Sequence, residues 1–186
     1  MPRLINFLLA FLLLSVLWIP FLIIALLVKA TSTGPAIHWS KRVGRNNALF
    51  QMPKFRTMRT DVPDVATHLL ADLDRYITPV GKILRKTSLD ELPQIWNILK
   101  GDMVLVGPRP ALYNQDDLIK LRTEGGVHEL VPGITGWAQI NGRDELSIPD
   151  KVGLDVYYLN HRSFWFDLKI LWKTLFFVGK RKGISH

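Results

Sequence analysis

The sequence predicts a mixed α+β protein, mostly helical, in which a membrane helix precedes a compact domain built around a small β-hairpin. Three observations carry that prediction. An apolar run over residues 4–28 is interrupted only by Asn6, Ser15 and Pro20; two strand-like segments flank Gly44-Arg45-Asn46-Asn47; and residues 93–101 and 157–178 read as helices. A chain of 186 residues is long enough for one domain with a real core, and its 48% apolar content is too high for disorder. There is no cysteine, which excludes disulfides and thiolate metal sites and makes a cytoplasmic face the simpler placement. The 24 basic and 16 acidic residues give a formal charge of +8, which suits anionic lipid, a phosphorylated substrate or nucleic acid about equally.

The first element is the apolar run, flanked by Arg3 and Lys29 and long enough, if helical, to cross a hydrocarbon core of about 30 Å. It is too long, and its basic leader too sparse, for a secretory signal. Pro20 removes the hydrogen bond to the carbonyl of Val16, so the helix is expected to kink or break into a segment before it and a shorter one after. Basic residues lie on both flanks, with Lys41, Arg42 and Arg45 soon after. Both ends stay cytoplasmic only if the helix bends back, and on these grounds a straight span and a re-entrant hairpin are both open.

After Thr31-Ser32-Thr33-Gly34-Pro35, residues 36–42 and 48–58 read as the two strands of a hairpin around the glycine and asparagine turn. Alternation puts Lys54, Arg56 and Met58 on one face and Phe55 and Thr57 on the other, so two cations point the same way; an ordinary solvated strand face is the competing reading. Residues 61–76 are expected to form a surface helix or a mobile loop. Residues 103–106 form a buried strand delivering Gly107-Pro108-Arg109-Pro110, whose prolines restrict the backbone around one arginine. Residues 131–143, punctuated by Pro132, Gly133, Gly136 and Gly142, look like a binding loop. Asn141-Gly142-Arg143 closes it as a tight turn that could receive a phosphate or a base, or be a plain hairpin turn. Residues 157–178 mix aromatic side chains with Arg162, Lys169 and Lys173, as helices at a membrane interface do; a core helix is the alternative, and the Lys180-Arg181-Lys182 tail favours the surface of an anionic membrane.

The chemistry concentrates between Arg85 and Arg109. Asp90 and Glu91 follow Thr87-Ser88 and precede Pro93, so they fall in the first turn of a helix ending at Lys100-Gly101. Ser88 with Glu91 has the spacing of a capping box, whereas Pro93 favours a later start. In either register Asp90 lies near the positive helix end. That end, with Arg85 and Lys86, is expected to hold it deprotonated as a nucleophile, the helix contributing about 0.3–1 kcal/mol. Simple helix capping by both acids is the competing reading. His38, His68, His128 and His161 lack metal-ligand spacing.

Taken in order, these motifs resemble the bacterial sugar transferases, or small monotopic phosphoglycosyl transferases. The resemblance rests on Lys54-Phe55-Arg56-Thr57-Met58, the block from Leu84-Arg85 to Asp90-Glu91-Leu92-Pro93-Gln94, and Lys100-Gly101-Asp102-Met103 running into Gly107-Pro108-Arg109-Pro110. Pro132-Gly133-Ile134-Thr135-Gly136-Trp137-Ala138-Gln139 and Asn141-Gly142-Arg143 complete it. It implies a re-entrant, proline-broken membrane helix over residues 1–30 and a cytoplasmic, membrane-associated catalytic domain over residues 31–186, at the bacterial inner membrane. It further implies that Asp90 attacks the sugar-side phosphorus of a nucleotide sugar, usually a UDP-sugar, releases the monophosphate, and passes the phosphosugar to polyprenol (undecaprenyl) phosphate, the first membrane step of glycan assembly. Glu91 would assist proton transfer or place a metal; Lys54, Arg56, Arg85, Arg109 and Arg143 would bind substrate; and Mg2+, touching Asp90, would accompany the diphosphate. The family pattern usually has serine before the proline and an aspartate in the first helical turn, where this chain has Ile19 and Asn6.

Two other functions compete. A non-catalytic, membrane-anchored module binding anionic lipid or nucleic acid explains the charge but not the two carboxylates, which repel phosphate; nucleic acid is therefore not expected as a partner. An ordinary glycosyltransferase would release a nucleoside diphosphate instead of the monophosphate. The expected partners are a nucleotide sugar, polyprenol phosphate and membrane lipid, with a homodimer left open.

Overall fold

In the computed structural model the described residues are 1–60, 73–142 and 145–180. They form a mostly helical fold with two small sheets behind one long apolar helix, α1 (Arg3–Thr31). Pro20 lies inside this helix, which continues through it, so the expected division into two segments is corrected to one continuous element. The residues before and after the proline keep helical backbone bonds, and a single lost bond is outweighed by the docking of both ends.

Near the start of α1, Ala10 enters the main core with Met52, Ile95, Ile98, Met103, Leu105 and Ile170; near its end, Ile24 and Val28 pack with Phe55 and Leu84. Between them Phe11, Leu12, Val16, Trp18, Ile19, Leu22 and Ile23 are exposed. Asn6 is buried and fully used. Its Oδ1 accepts from the Leu105 amide at 2.9 Å, and its Nδ2 donates to the carbonyls of Pro2 and Met1 at 3.1 and 3.3 Å. The amide thus serves as both donor and acceptor, which an ionised aspartate cannot do.

The hairpin is β1 (Ile37–Val43) and β2 (Leu49–Phe55), antiparallel, with His38 opposite Lys54 and Arg42 opposite Phe50. Asn46 and Asn47 take positive φ in the turn, as its composition predicted. β2 stops at Phe55, three residues short of expectation. There Arg56 turns back, its guanidinium bonding Ser32 O at 2.9 Å, Ser32 Oγ at 2.8 Å and the Pro35 carbonyl. Arg56 therefore does not share a working face with Lys54. It ties the end of α1 to the hairpin.

α2 (Leu73–Tyr76) and α3 (Pro79–Thr87) follow, α3 being capped by Thr78 Oγ1 on the Gly81 amide at 2.9 Å. Ser88 ends α3 in a left-handed conformation and makes no side-chain cap, so the capping box does not form. A 3-10 helix, Leu89–Gln94, carries Asp90 and Glu91 and runs into α4 (Ile95–Lys100), which Gly101 closes at φ 88°, as the lysine and glycine predicted.

β3 (Val104–Val106) pairs in parallel with β4 (Gly133–Thr135). The expected binding loop is thus partly a strand, and two of its glycines, Gly133 and Gly136, allow close backbone packing. A Cβ on Gly133 would come 2.1 Å from the Gly107 amide nitrogen, and one on Gly136 would come 2.2 Å from the Gly107 carbonyl oxygen. Helices α5 (Asp116–Glu124), α6 (Trp137–Ile140), α7 (Ile148–His161) and α8 (Phe164–Lys180) complete the fold. Residues 157–178 are therefore two helices. α8 buries Asp167 and Ile170 while leaving Trp165, Trp172, Leu175 and Phe176 outward, so the core and interface readings each describe one of its faces. Arg181 and Lys182 lie outside the described residues, as does most of the 61–76 segment.

Candidate active site

The hairpin face that carries Lys54 looks onto the 3-10 helix, and there the charged side chains meet. Glu91 Oε1 accepts from Lys54 Nζ at 2.9 Å and from Arg109 Nη2 at 2.7 Å. Burial alone would raise the Glu91 carboxyl, but Arg109 and Lys54, by charge and by hydrogen bonding, bring it well below its ordinary value. It is an ionised, fully engaged anion that fixes two cations. Burial pulls the Lys54 ammonium below the usual lysine value even though Glu91 opposes the shift.

Asp90 beside it is 9% exposed, and among the described residues its side chain makes no hydrogen bond or ion pair. Its carboxyl is raised above the ordinary aspartate value. Burial is the largest cause and Glu91 adds to it, against the opposing charges of Lys54, Arg85 and Arg109. The helix end and the neighbouring cations predict the opposite sign, but a short 3-10 turn offers little dipole, and desolvation outweighs both.

Arg85 reaches the site from the last turn of α3, where its Nε donates to Thr57 Oγ1 at 2.9 Å and its charge acts on Asp90. Arg109 is held from behind. Its carbonyl accepts from Arg122 Nη1 at 2.7 Å, and Arg122 is itself locked to Asp155 Oδ2 through Nη2 at 2.6 Å and Nε at 3.0 Å. The next carbonyl, of Pro110, accepts from Arg42 Nη1 at 3.3 Å, while Arg42 Nε donates to Ser40 Oγ at 3.0 Å. Burial and Arg109 lower Arg42 to about 10, with Glu91 opposing.

The structure thus gathers Lys54, Arg85, Asp90, Glu91 and Arg109, sets Arg56 apart, and leaves Arg143 outside the described residues. Sequence reasoning missed Arg42, Thr57 and the Arg122–Asp155 pair. Arg42 was legible in principle, since alternation along β1 and the hairpin register put it on the Lys54 face. Arg122 and Asp155, on α5 and α7, carry no spacing signal.

Among the described residues four cations, Arg42, Lys54, Arg85 and Arg109, gather around two carboxylates, an excess of positive charge that an added anion would neutralise. Among the described residues no three His, Cys, Asp or Glu side chains lie together as a metal cage. The donor set nevertheless fits a magnesium ion brought in with phosphate, since Asp90 offers one uncommitted hard carboxylate and Mg2+ commonly takes one or two carboxylates together with substrate oxygens and water. Behind the Arg109 turn, a cavity of about 30 Å³ lined by Asn47, Pro108, Arg122 and His128 has room for a water or two, not a nucleotide.

A family model described as bacterial sugar transferase matches residues 1–181. The chain is 46% identical over 161 residues to an uncharacterized sugar transferase, EpsL, of Bacillus subtilis, covering 86% of this chain and 77% of that one. It is 42% identical over 166 residues to the UDP-glucose:undecaprenyl-phosphate glucose-1-phosphate transferase of Escherichia coli, covering 84% of this chain and 36% of the relative. To the undecaprenyl-phosphate galactose phosphotransferase of Salmonella typhimurium it is 40% identical over 179 residues, covering 87% and 37%. The chain spans little more than a third of the last two.

Proposed function

The chain belongs to the bacterial sugar transferase family, which makes it an enzyme, and we propose that it transfers a phosphosugar from a UDP-sugar to undecaprenyl phosphate through a covalent intermediate on Asp90. The observation that carries this reading is the contrast between the adjacent carboxylates. Glu91 is tied by Lys54 and Arg109, whereas Asp90 is held among cations with its oxygens uncommitted. An oxygen of ionised Asp90 attacks the sugar-side phosphorus; the bond from that phosphorus to the bridging oxygen breaks, and uridine monophosphate leaves with the electron pair. A phosphate oxygen of undecaprenyl phosphate then attacks the same phosphorus and releases Asp90, forming the lipid diphosphate sugar. Lys54, Arg85 and Arg109 hold phosphate oxygens as charge redistributes, and Glu91 orients two of these cations instead of moving a proton. Magnesium, if held by Asp90, would supply further neutralisation of the phosphate charge.

The membrane part of this reading is supported by α1. One side of the helix, through Ala10, Leu14, Leu17, Phe21, Ile24 and Val28, packs on the domain while the rest of its surface is exposed and apolar, and the outward aromatic face of α8 adds a second apolar surface. This supports a one-leaflet, cytoplasmic-face arrangement in which the site reaches the lipid phosphate. A non-catalytic anionic-lipid or nucleic-acid module is disfavoured by family membership. Product identity tests the reaction: incubation with UDP-glucose or UDP-galactose and undecaprenyl phosphate is expected to yield uridine monophosphate, and stoichiometric uridine diphosphate would mean sugar transfer without phosphate.

A further inference from the structure

Arg42 is the cation that this reaction, as drawn so far, does not use. Its side chain is half-buried, and the charge of Arg109 acts on it. Among the described residues it has no carboxylate within ion-pair distance, its only hydrogen bonds being those of Nε to Ser40 and Nη1 to the Pro110 carbonyl, which leaves Nη2 open. Glu91, the nearest anion, is already taken by Lys54 and Arg109. Of these two neighbouring guanidinium groups Glu91 bonds Arg109 and not Arg42, and a partly buried cation without its own counter-charge is stabilised by a further anion.

The hairpin register says which anion. Lys54 stands opposite His38 and Arg42 opposite Phe50, four residues apart along the same face. At about 3.3 Å per residue their backbone positions are separated by about 13 Å, with Lys54 at the carboxylate end and Arg42 toward the turn. Arg109, bonded to Glu91 by its side chain and followed by the Pro110 carbonyl that Arg42 holds, bridges the two ends. On the proposed reaction, a diphosphate whose sugar-side phosphorus faces Asp90 would reach Arg42 with its other phosphate by way of Arg109.

We infer that Arg42 binds the nucleoside-side phosphate of the donor, and so the departing nucleoside monophosphate, with Nη2 donating to it beside Arg109. The inference rests on the phosphosugar-transfer reading above and adds a leaving-group residue to it. A guanidinium there stabilises the negative charge that grows on the monophosphate as the diphosphate bond breaks. It has no part in the second half of the reaction, when the monophosphate has gone.

The test uses the full chain in nanodiscs of phosphatidylethanolamine and phosphatidylglycerol, with Arg42→Gln, Arg42→Lys and, as control, Arg45→Gln in the exposed hairpin turn. Equilibrium binding of uridine monophosphate is measured first, then quenched-flow loading from a labelled UDP-sugar, then the chase of loaded protein with undecaprenyl phosphate. Arg42→Gln is expected to weaken monophosphate binding and slow loading by about tenfold or more, the size of one charged hydrogen bond, with a smaller loss for Arg42→Lys. The chase rate should stay within about twofold of wild type. Monophosphate binding by Arg42→Gln and Arg42→Lys equal to that of Arg45→Gln overturns the inference, and so does a chase slowed as much as loading, which would mean that Arg42 merely props the Arg109 turn. If the natural protein neither loads nor releases monophosphate, the phosphosugar-transfer reading has failed, and the leaving-group role falls with it.

Discussion

At the level of single residues, the pair Asp90 and Glu91 divides into a free acid and a fixed one, and pH separates them. Because the folded state raises the Asp90 carboxyl, the nucleophile is protonated at pH values where an ordinary aspartate would be ionised. The acid limb of loading, measured as kcat/KM for the nucleotide sugar, is therefore expected to lie above the usual aspartate range; a limb at or below that range contradicts the assignment. The same shift has a stability consequence. A raised folded-state value favours the fold below the ordinary aspartate range and loses that contribution as pH rises through the raised value. Asp90→Asn, which removes the ionisable group, should abolish loading yet be more stable than the natural protein at neutral pH, the difference closing as the solution is acidified. Thermal melts of both proteins across pH check the sign. Glu91 goes the other way, and its ion pairs with Lys54 and Arg109 persist until the medium is well below the ordinary glutamate value.

At the level of elements, the Arg109 turn is held by parts of the chain distant in sequence, and Arg122 with Asp155 forms the buried brace. Removing one partner by Asp155→Ala leaves an uncompensated charge and is expected to cost about 3–5 kcal/mol of stability by denaturant unfolding. Replacing both, Arg122→Met with Asp155→Leu, should recover most of that stability but not the activity, because the Arg109 carbonyl loses its donor. Recovery of both would show the brace to be dispensable for positioning. The elements themselves were legible to different degrees. The asparagine turn of the hairpin, the Lys100-Gly101 helix end and the strand before Gly107 follow from local backbone preference, so the sequence carries them openly. The face of Arg56 was misread because alternation holds only while the strand lasts, and β2 ends one residue earlier. Within the loop expected at residues 131–143, Gly133 and Gly136 are small because β4 and the turn after it abut the backbone of Gly107, a constraint that sequence spacing does not display. The sign at Asp90 was missed because burial is a property of the assembled site.

For the whole molecule, the proposed placement in one face of an anionic membrane draws on the exposed apolar side of α1, the outward face of α8 and the +8 charge. Leu4, 67% exposed at the start of α1, is a probe of this arrangement. With no natural cysteine to interfere, Leu4→Cys in intact cells should resist an impermeant external thiol reagent and react once the cytoplasmic side is opened; labelling from outside would make α1 a plain span. The central claim remains the covalent step. A UDP-sugar labelled in its sugar-side phosphate, mixed with the natural protein without undecaprenyl phosphate, should leave label on a peptide containing Asp90 and release one equivalent of unlabelled uridine monophosphate. Adding undecaprenyl phosphate should then move the label to lipid. Label that never joins the protein, with product lipid forming only when donor and acceptor are present together, would contradict the account.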